Sequence, residues 1–368
     1  MATNTSIEWT DATWNPIRGC SRVSEGCRHC YAEAVAARFS GAGQAYEGLA
    51  ELKIIGQGTP AEHTAPHWTG RVRLVPEHLA DPIRWKKPRR IFVNSMSDLF
   101  HEKLPFETIA KVFAVMALSP QHTFQVLTKR PQRMLEFFTW ARDIAWPKLF
   151  PWDVPDYGVE ANVVLQFLSD AEAGIAVSKD EDPPAWPLPN VWLGVSVEDQ
   201  ESADARIPLL LNMPAAVRWI SAEPLLGPII LKERDQPEVN VDWLRGFDGG
   251  EPAIPGLDWV VGGGESGPGA RPMHPAWALA LRDQCRAAKV AFFFKQWGAW
   301  QPIEYRQGRK PYLKISVPMP STMKPSTREI VFHAGEPAFA VNMLRVGKHA
   351  AGRLLDGREW NQYPEARA

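Results

Sequence analysis

The sequence predicts an α/β protein: a complete or partial TIM-like (β/α) barrel with long loop insertions and a C-terminal strap. Two observations carry this. Short apolar runs recur at 91–94, 123–127, 191–195, 217–220, 259–261 and 290–294, and their β-branched and aromatic content fits strands buried on both faces. Helical patterns lie between them. Phe106, Ile109, Val112, Phe113 and Met116 fall at steps of three and four, beginning beside Pro105. Residues 31–39, 131–141 and 275–288 read the same way. Strand–helix alternation around six or seven strands is the pattern of a β/α barrel. Ile7-Glu8-Trp9 is the candidate first strand. A doubly wound sheet competes, but no G-x-G-x-x-G follows that strand, which lowers its dinucleotide-binding form.

Residues 1–300 are expected to form the barrel, with insertions at 41–89, 143–189 and 233–257. The last includes Asp248-Gly249-Gly250-Glu251-Pro252. None has a core large enough to fold alone. Residues 301–368 form the strap, and no internal repeat interrupts the chain. A net charge of −1 argues against a sequence-independent coat on nucleic acid, which needs a broad positive field. A local groove stays open at Lys86-Lys87-Pro88-Arg89-Arg90, although that run reads first as a solvated loop before a strand. No apolar run approaches the roughly 20 residues of a membrane span. With no export signal and four cysteines in all, the expected place is the cytoplasm, where clustered thiols read as metal ligands.

Three of those cysteines, Cys20, Cys27 and Cys30, stand at C-x6-C-x2-C on the loop that leads into the first helix. Three thiolates on a four-coordinate iron or zinc leave one position open, which is where chemistry occurs. A structural zinc knob completed by His29 or Cys285 is the alternative. Cys285 sits one helical turn from Leu281 and reads as a buried apolar thiol.

The other strand ends are polar. They carry Asn94-Ser95-Met96-Ser97-Asp98, Thr128-Lys129-Arg130, Ser196-Val197-Glu198-Asp199, Ser221-Ala222-Glu223-Pro224, Gly262-Gly263-Gly264-Glu265 and Lys295-Gln296-Trp297-Gly298. Catalytic groups of β/α barrels collect at that rim. Asp98, Lys129, Glu198, Glu223 and Lys295 are therefore candidate catalytic residues. The glycine run reads either as a tight turn or as backbone amides which, with Glu265, meet a charged small molecule at close range. Lys129-Arg130 could hold a carboxylate or phosphate. Of sixteen tryptophans, Trp140, Trp146 and Trp219 read as packing. Trp14, Trp192, Trp297 and Trp300 stand near the rim, where stacking on a base is conceivable but core is the better reading.

Trp14-Asn15-Pro16, Gly19-Cys20, Tyr31-Ala32-Glu33, Asn94 to Phe100, Leu127 to Pro131, Gly194 to Glu198, Glu223 to Gly227, Gly262 to Gly267 and Phe294 to Gly298 form one ordered series. It resembles a phage- and mobile-element-borne family of three-cysteine-motif proteins of unknown function, whose motif and barrel look like divergent radical S-adenosylmethionine enzymes. That resemblance implies a [4Fe–4S] cluster on Cys20, Cys27 and Cys30, with S-adenosylmethionine on the remaining iron. It puts Tyr31, Ser95, Gly263, Gly264 and Glu265 near the cofactor. It also implies an electron donor, and phage context suggests a nucleobase, nucleotide or nucleic-acid substrate. The first cysteine interval is three residues longer than the usual C-x3-C-x2-C. The glycine–glutamate element follows a late strand rather than the second. A non-catalytic zinc-stabilised module that binds nucleic acid or a partner protein is the other expectation.

Overall fold

The computed structural model describes residues 5–59, 62–149, 187–232, 241–247, 254–302, 329–333 and 340–365; of helix residues 143–149 only the backbone is described. Most of the 143–189 insertion, the Trp146 side chain, the Asp248–Pro252 stretch and 303–328 of the strap lie outside this description. The chain divides into two compact units, residues 1–195 with 212–218, and 196–211 with 219–368.

Seven parallel strands carry the architecture: β1 (Ala12–Trp14), β2 (Arg90–Val93), β3 (Thr123–Thr128), β4 (Val191–Ser196), β5 (Val217–Ala222), β6 (Trp259–Gly263) and β7 (Ala291–Gln296). In the first unit β1 pairs with β2, β2 with β3 and β3 with β4, so that Trp14, Val93, Val126 and Leu193 share one level. In the second, β5 pairs with β6 and β6 with β7, which puts Trp219, Trp259 and Ala291 side by side. In neither unit does the order reverse. A doubly wound sheet needs a reversal at its switch point. Within each unit the described strands run parallel and in chain order, as the strands of a β/α barrel do.

The helices are α1 (Tyr31–Arg38), α2 (Phe106–Ala117), α3 (Pro131–Leu149), α4 (Gln200–Leu211) and α5 (Pro275–Ala288). The 3.6-residue spacing on α2 buries Ile109, Val112, Phe113 and Met116. Phe113 and Phe137 of α3 then lie 5.2 Å apart between ring centres. That contact, together with Phe100 and Phe138, forms the aromatic centre of the first unit. In the second unit α5 buries Leu281 and Cys285, as their one-turn spacing suggests, and burial pushes the Cys285 thiol upward.

Three readings need correction. The first strand is Ala12–Trp14, and Ile7-Glu8-Trp9 lies in the turn before it. The helix read as 131–141 continues to Leu149. Helix α4 has no counterpart in the sequence reading, because its buried face includes Ser202 and Arg206 and Pro208 lies within it. The 41–89 insertion also holds a regular element, an antiparallel hairpin of Ala50–Ile55 and His63–Trp68 that exposes Leu52 and Ile54. The end of the strap runs beside β7, where Phe294 N–H donates to the Trp360 carbonyl at 2.9 Å. Among the described residues no helix is long and apolar enough to cross a membrane.

Candidate functional site

The cysteine loop leaves the C-terminal end of β1 and re-enters regular structure at α1, with Cys30 as the N-cap residue of that helix. Main-chain and side-chain bonds sew it to the loop after β2. Asn94 N–H donates to the Trp14 carbonyl at 2.7 Å, and Ile17 N–H donates to Asn94 Oδ1 at 3.3 Å. Asn15 Oδ1 accepts from Met96 N–H, and Ser97 Oγ donates to the Ile17 carbonyl. Asn94 holds φ at +58°, is buried, and its Nδ2 has no hydrogen-bond partner. A non-glycine residue there is uncommon and clusters at functional sites.

Two guanidinium groups flank the thiols, each held by a buried carboxylate. Arg22 lies inside the six-residue interval, and Nε and Nη2 of its side chain reach Glu33 Oε2 at 3.1 and 2.6 Å. Glu33 is 1 % exposed and also accepts from Trp68 N–H at 2.8 Å, which ties the hairpin to α1. The second group is Arg130, at the end of β3. Its Nη1 reaches Asp98 Oδ2 at 3.0 Å, and both side chains are nine-tenths buried.

Asp98 is fully engaged. Its Oδ1 accepts from Thr128 Oγ1 (2.7 Å) and Phe100 N–H (2.9 Å), and its Oδ2 accepts from Lys129 N–H (3.1 Å) as well as Arg130. The carboxylate therefore fastens the β2 loop to the β3 loop. Lys129 contributes its backbone amide to this arrangement.

His101 completes the wall. Its Nδ1 accepts from Lys103 N–H at 3.2 Å, so the proton of the neutral ring is on Nε2, which lies 3.0 Å from Ser21 Oγ. Ser21 in turn donates to Glu102 Oε1 at 3.3 Å. A serine nucleophile needs the opposite polarity, with the hydroxyl donating to the imidazole. The pair therefore anchors the loop and does not activate Ser21. Burial, and after it the charge of Arg130, holds the His101 pKa below the usual histidine value.

Burial, reinforced by the Asp98 charge, pushes the Cys20 thiol up to about 12, and burial raises Cys30 as well. Both are thiols at neutral pH, and binding a metal must release their protons. The Arg22 pKa is raised by its bond to Glu33. Burial works against the charge on Arg130, but Asp98, Cys20 and Glu102 together raise its pKa. Three soft donors on one loop, with two permanent positive charges beside them, fit a metal or iron–sulfur group bound through thiolates. Among the described residues no group of three or more His, Cys, Asp or Glu side chains is arranged to hold a metal ion.

Tyr31 and Ser95, both assigned to a cofactor, are brought together: the Tyr31 hydroxyl donates to the Ser95 carbonyl at 2.7 Å, and the ring is half exposed. The remaining assigned residues belong to the second unit. Lys295 Nζ lies 3.1 Å from Glu223 Oε1, and Ser221 Oγ donates to Glu223 Oε2 at 3.2 Å. Strand alternation places Ser221 and Glu223 two residues apart on one side, facing Lys295. This ion pair retains some solvent access, at 18 % and 13 %. Glu198 is buried and paired with Arg206 at 3.1 Å, while Arg206 also donates to the Ser196 carbonyl.

The glycine turn has a protein-internal reason. A Cβ on Gly263 would stand 2.7 Å from Glu223 Oε1, and one on Gly264 would stand 2.1 Å from the Trp297 carbonyl oxygen. Glu265 is buried and takes Arg271 N–H on Oε2 and the Arg271 Nη2 on Oε1, both at 2.7 Å. The turn therefore gives the cofactor assignment no support. Trp14, Trp297 and Trp300 are buried with their indole N–H groups bonded to the carbonyls of His78, Leu354 and Ala270. The basic run lies at the start of β2, away from the thiols, with Arg90 on Asp11 and Arg89 over the Trp85 ring. Arg22, Glu33, His101 and Asn94 have no role assigned from sequence, and Arg130 has one only as half of a basic pair that could hold a carboxylate or phosphate. An arginine between two cysteines and a glutamate three residues after the third were the available signals.

Parallel strands in chain order, with a thiol loop after the first and polar groups at the other strand ends, define a β/α protein with a candidate metal-binding loop. The chain belongs to the family described as "Protein of unknown function (DUF5131)", which matches residues 4–364. Neither a curated protein nor a solved structure matches it.

Proposed function

We propose that this protein is an iron–sulfur enzyme of the radical S-adenosylmethionine type. The observation that carries the reading is the position of Cys20, Cys27 and Cys30. They follow the first of a series of parallel β/α strands, on a loop pinned by two arginines, each paired with a buried carboxylate. Thiolates from these three residues would hold a [4Fe–4S] cluster and leave one iron open. In that superfamily, one electron from a donor cleaves S-adenosylmethionine to methionine and a deoxyadenosyl radical, which takes a hydrogen atom from the substrate. The protein's own share is to bind, orient and exclude water. Asp98, Arg130 and Ser21 hold the loop in place. Within the second unit, the Glu223–Lys295 pair carries a charged group of each sign with some access to solvent. S-adenosylmethionine enters through the resemblance to that superfamily, as does a nucleobase or nucleic-acid substrate in a reducing cytoplasm.

Anaerobic purification after reconstitution with ferrous iron and sulfide tests the reading. A brown protein whose broad visible absorption bleaches on reduction, and loses it in Cys27→Ala with the fold retained, is the expected result. A colourless protein holding one tight zinc, which unfolds when the zinc is removed, would instead establish a structural metal module.

A further inference from the structure

The Arg130 guanidinium carries five N–H donors, and the structure supplies five acceptors. Nε points to Glu102 Oε2 at 3.0 Å. Nη1 is shared between Asp98 Oδ2 at 3.0 Å and Cys20 Sγ at 4.0 Å. Nη2 is shared between the Ser21 carbonyl at 3.0 Å and Ser21 Oγ at 2.8 Å. No other side chain has that number of donors in one rigid plane. Two of the contacts fall on the residue after Cys20 and one on the Cys20 sulfur itself. Asp98, immobilised by Thr128 and by two backbone amides, fixes the plane from behind.

We propose that Arg130 is a positioning residue that fixes Cys20 and, by donating to its sulfur, raises the reduction potential of the cluster bound there. The inference rests on the iron–sulfur reading above. Hydrogen bonds to ligand sulfurs and net charge near a cluster set its potential. Reduction adds negative charge, so a fixed cation and an N–H donor at the sulfur favour the reduced form. Cys30 takes backbone N–H groups, from Glu33 and Ala32, whereas Cys20 takes a donor that carries a full positive charge.

The test is a dye-mediated anaerobic titration of the reconstituted full chain, followed by visible absorption and electron paramagnetic resonance. Arg130→Met is expected to lower the reduced-to-oxidised ratio at a fixed poise about tenfold, a fall of about 59 mV for one electron. Arg130→Lys keeps the charge without the fork and should fall between. Loss of Arg130 leaves Asp98 buried without its counter-charge, so Asp98→Asn/Arg130→Met is prepared in parallel and, if the single variant does not fold, is read against Asp98→Asn, which carries the loss of the Asp98 charge alone. A ratio within twofold of the unmodified protein in the folded variant overturns the proposal. Failure of the unmodified protein to assemble a cluster overturns the iron–sulfur reading itself, and the two failures are distinct.

Discussion

Asp98→Asn replaces one oxygen of a saturated carboxylate by an amide nitrogen with almost no change of shape. The substituted amide can keep its oxygen toward Thr128 Oγ1 and Phe100 N–H, at the 2.7 and 2.9 Å now observed. Its NH2 then meets the Lys129 amide and the Arg130 guanidinium, two donors at 3.1 and 3.0 Å. A lost charge-assisted bond costs about 1.5–3 kcal/mol and an unsatisfied backbone donor about 1 kcal/mol or more. Arg130 keeps Glu102, but that carboxylate is 57 % exposed and compensates little. The sum is about 3–4 kcal/mol, within the 3–5 kcal/mol typical of breaking a buried pair. For a unit of this size each kcal/mol shifts Tm by about 2–4 °C, so a fall near 10 °C is expected. Thermal unfolding by circular dichroism, with hydrogen exchange of the β2 and β3 amides to locate the effect, measures it. A fall of less than about 3 °C with unchanged exchange would refute the claim that Asp98 joins these loops.

Two further outcomes follow from single contacts. Gly264→Ala drives a Cβ into the Trp297 carbonyl and should cost about 3 kcal/mol, whereas Gly262→Ala meets only side-chain atoms at 3.7–3.9 Å and should cost under about 1 kcal/mol. Equal losses in chemical denaturation would show that the turn is not held by that carbonyl. His101 has a depressed pKa in the folded state, so its contribution to stability is complete above the unfolded value near 6.5 and declines as pH falls below it. The unmodified protein should therefore lose more stability between pH 7.5 and 5 than His101→Gln, and parallel pH profiles would sink that assignment.

Six of the seven described strands were legible because each is a short, largely buried apolar run, and such runs need no partner to be recognised. β1 was not: Ala12-Thr13-Trp14 is three residues long, and its strand character comes from pairing with Ile91-Phe92-Val93. α4 escaped notice because Arg206 and Ser202 are buried on account of Glu198 and Asp199, a reason absent from any hydrophobic pattern. At the candidate site, the cysteines were visible as a spacing, and Asp98 as an acid after a strand. What holds them was not. Arg130 reads from sequence as half of a basic pair, and only tertiary structure reveals that all five of its donors are spoken for. For Glu265 the sequence suggests a ligand, an acid after three glycines, and does not show the pairing with Arg271 six residues on.

The distance along the chain between Cys20 and Arg130 has a bearing on biogenesis. The three thiols emerge from the ribosome close together, but the side chain that fixes Cys20 follows 110 residues later. Until β2 and β3 have been synthesised and paired, the loop has its local bonds, that from Arg22 to Glu33 among them, without the contacts from Arg130. Parallel pairing across such separations is slow, because loop closure precedes any contact that rewards it. The nascent protein thus passes through an interval in which its thiols are present and unclamped. On the iron–sulfur reading proposed above, the clamped form of the loop is present only after the third strand has left the tunnel.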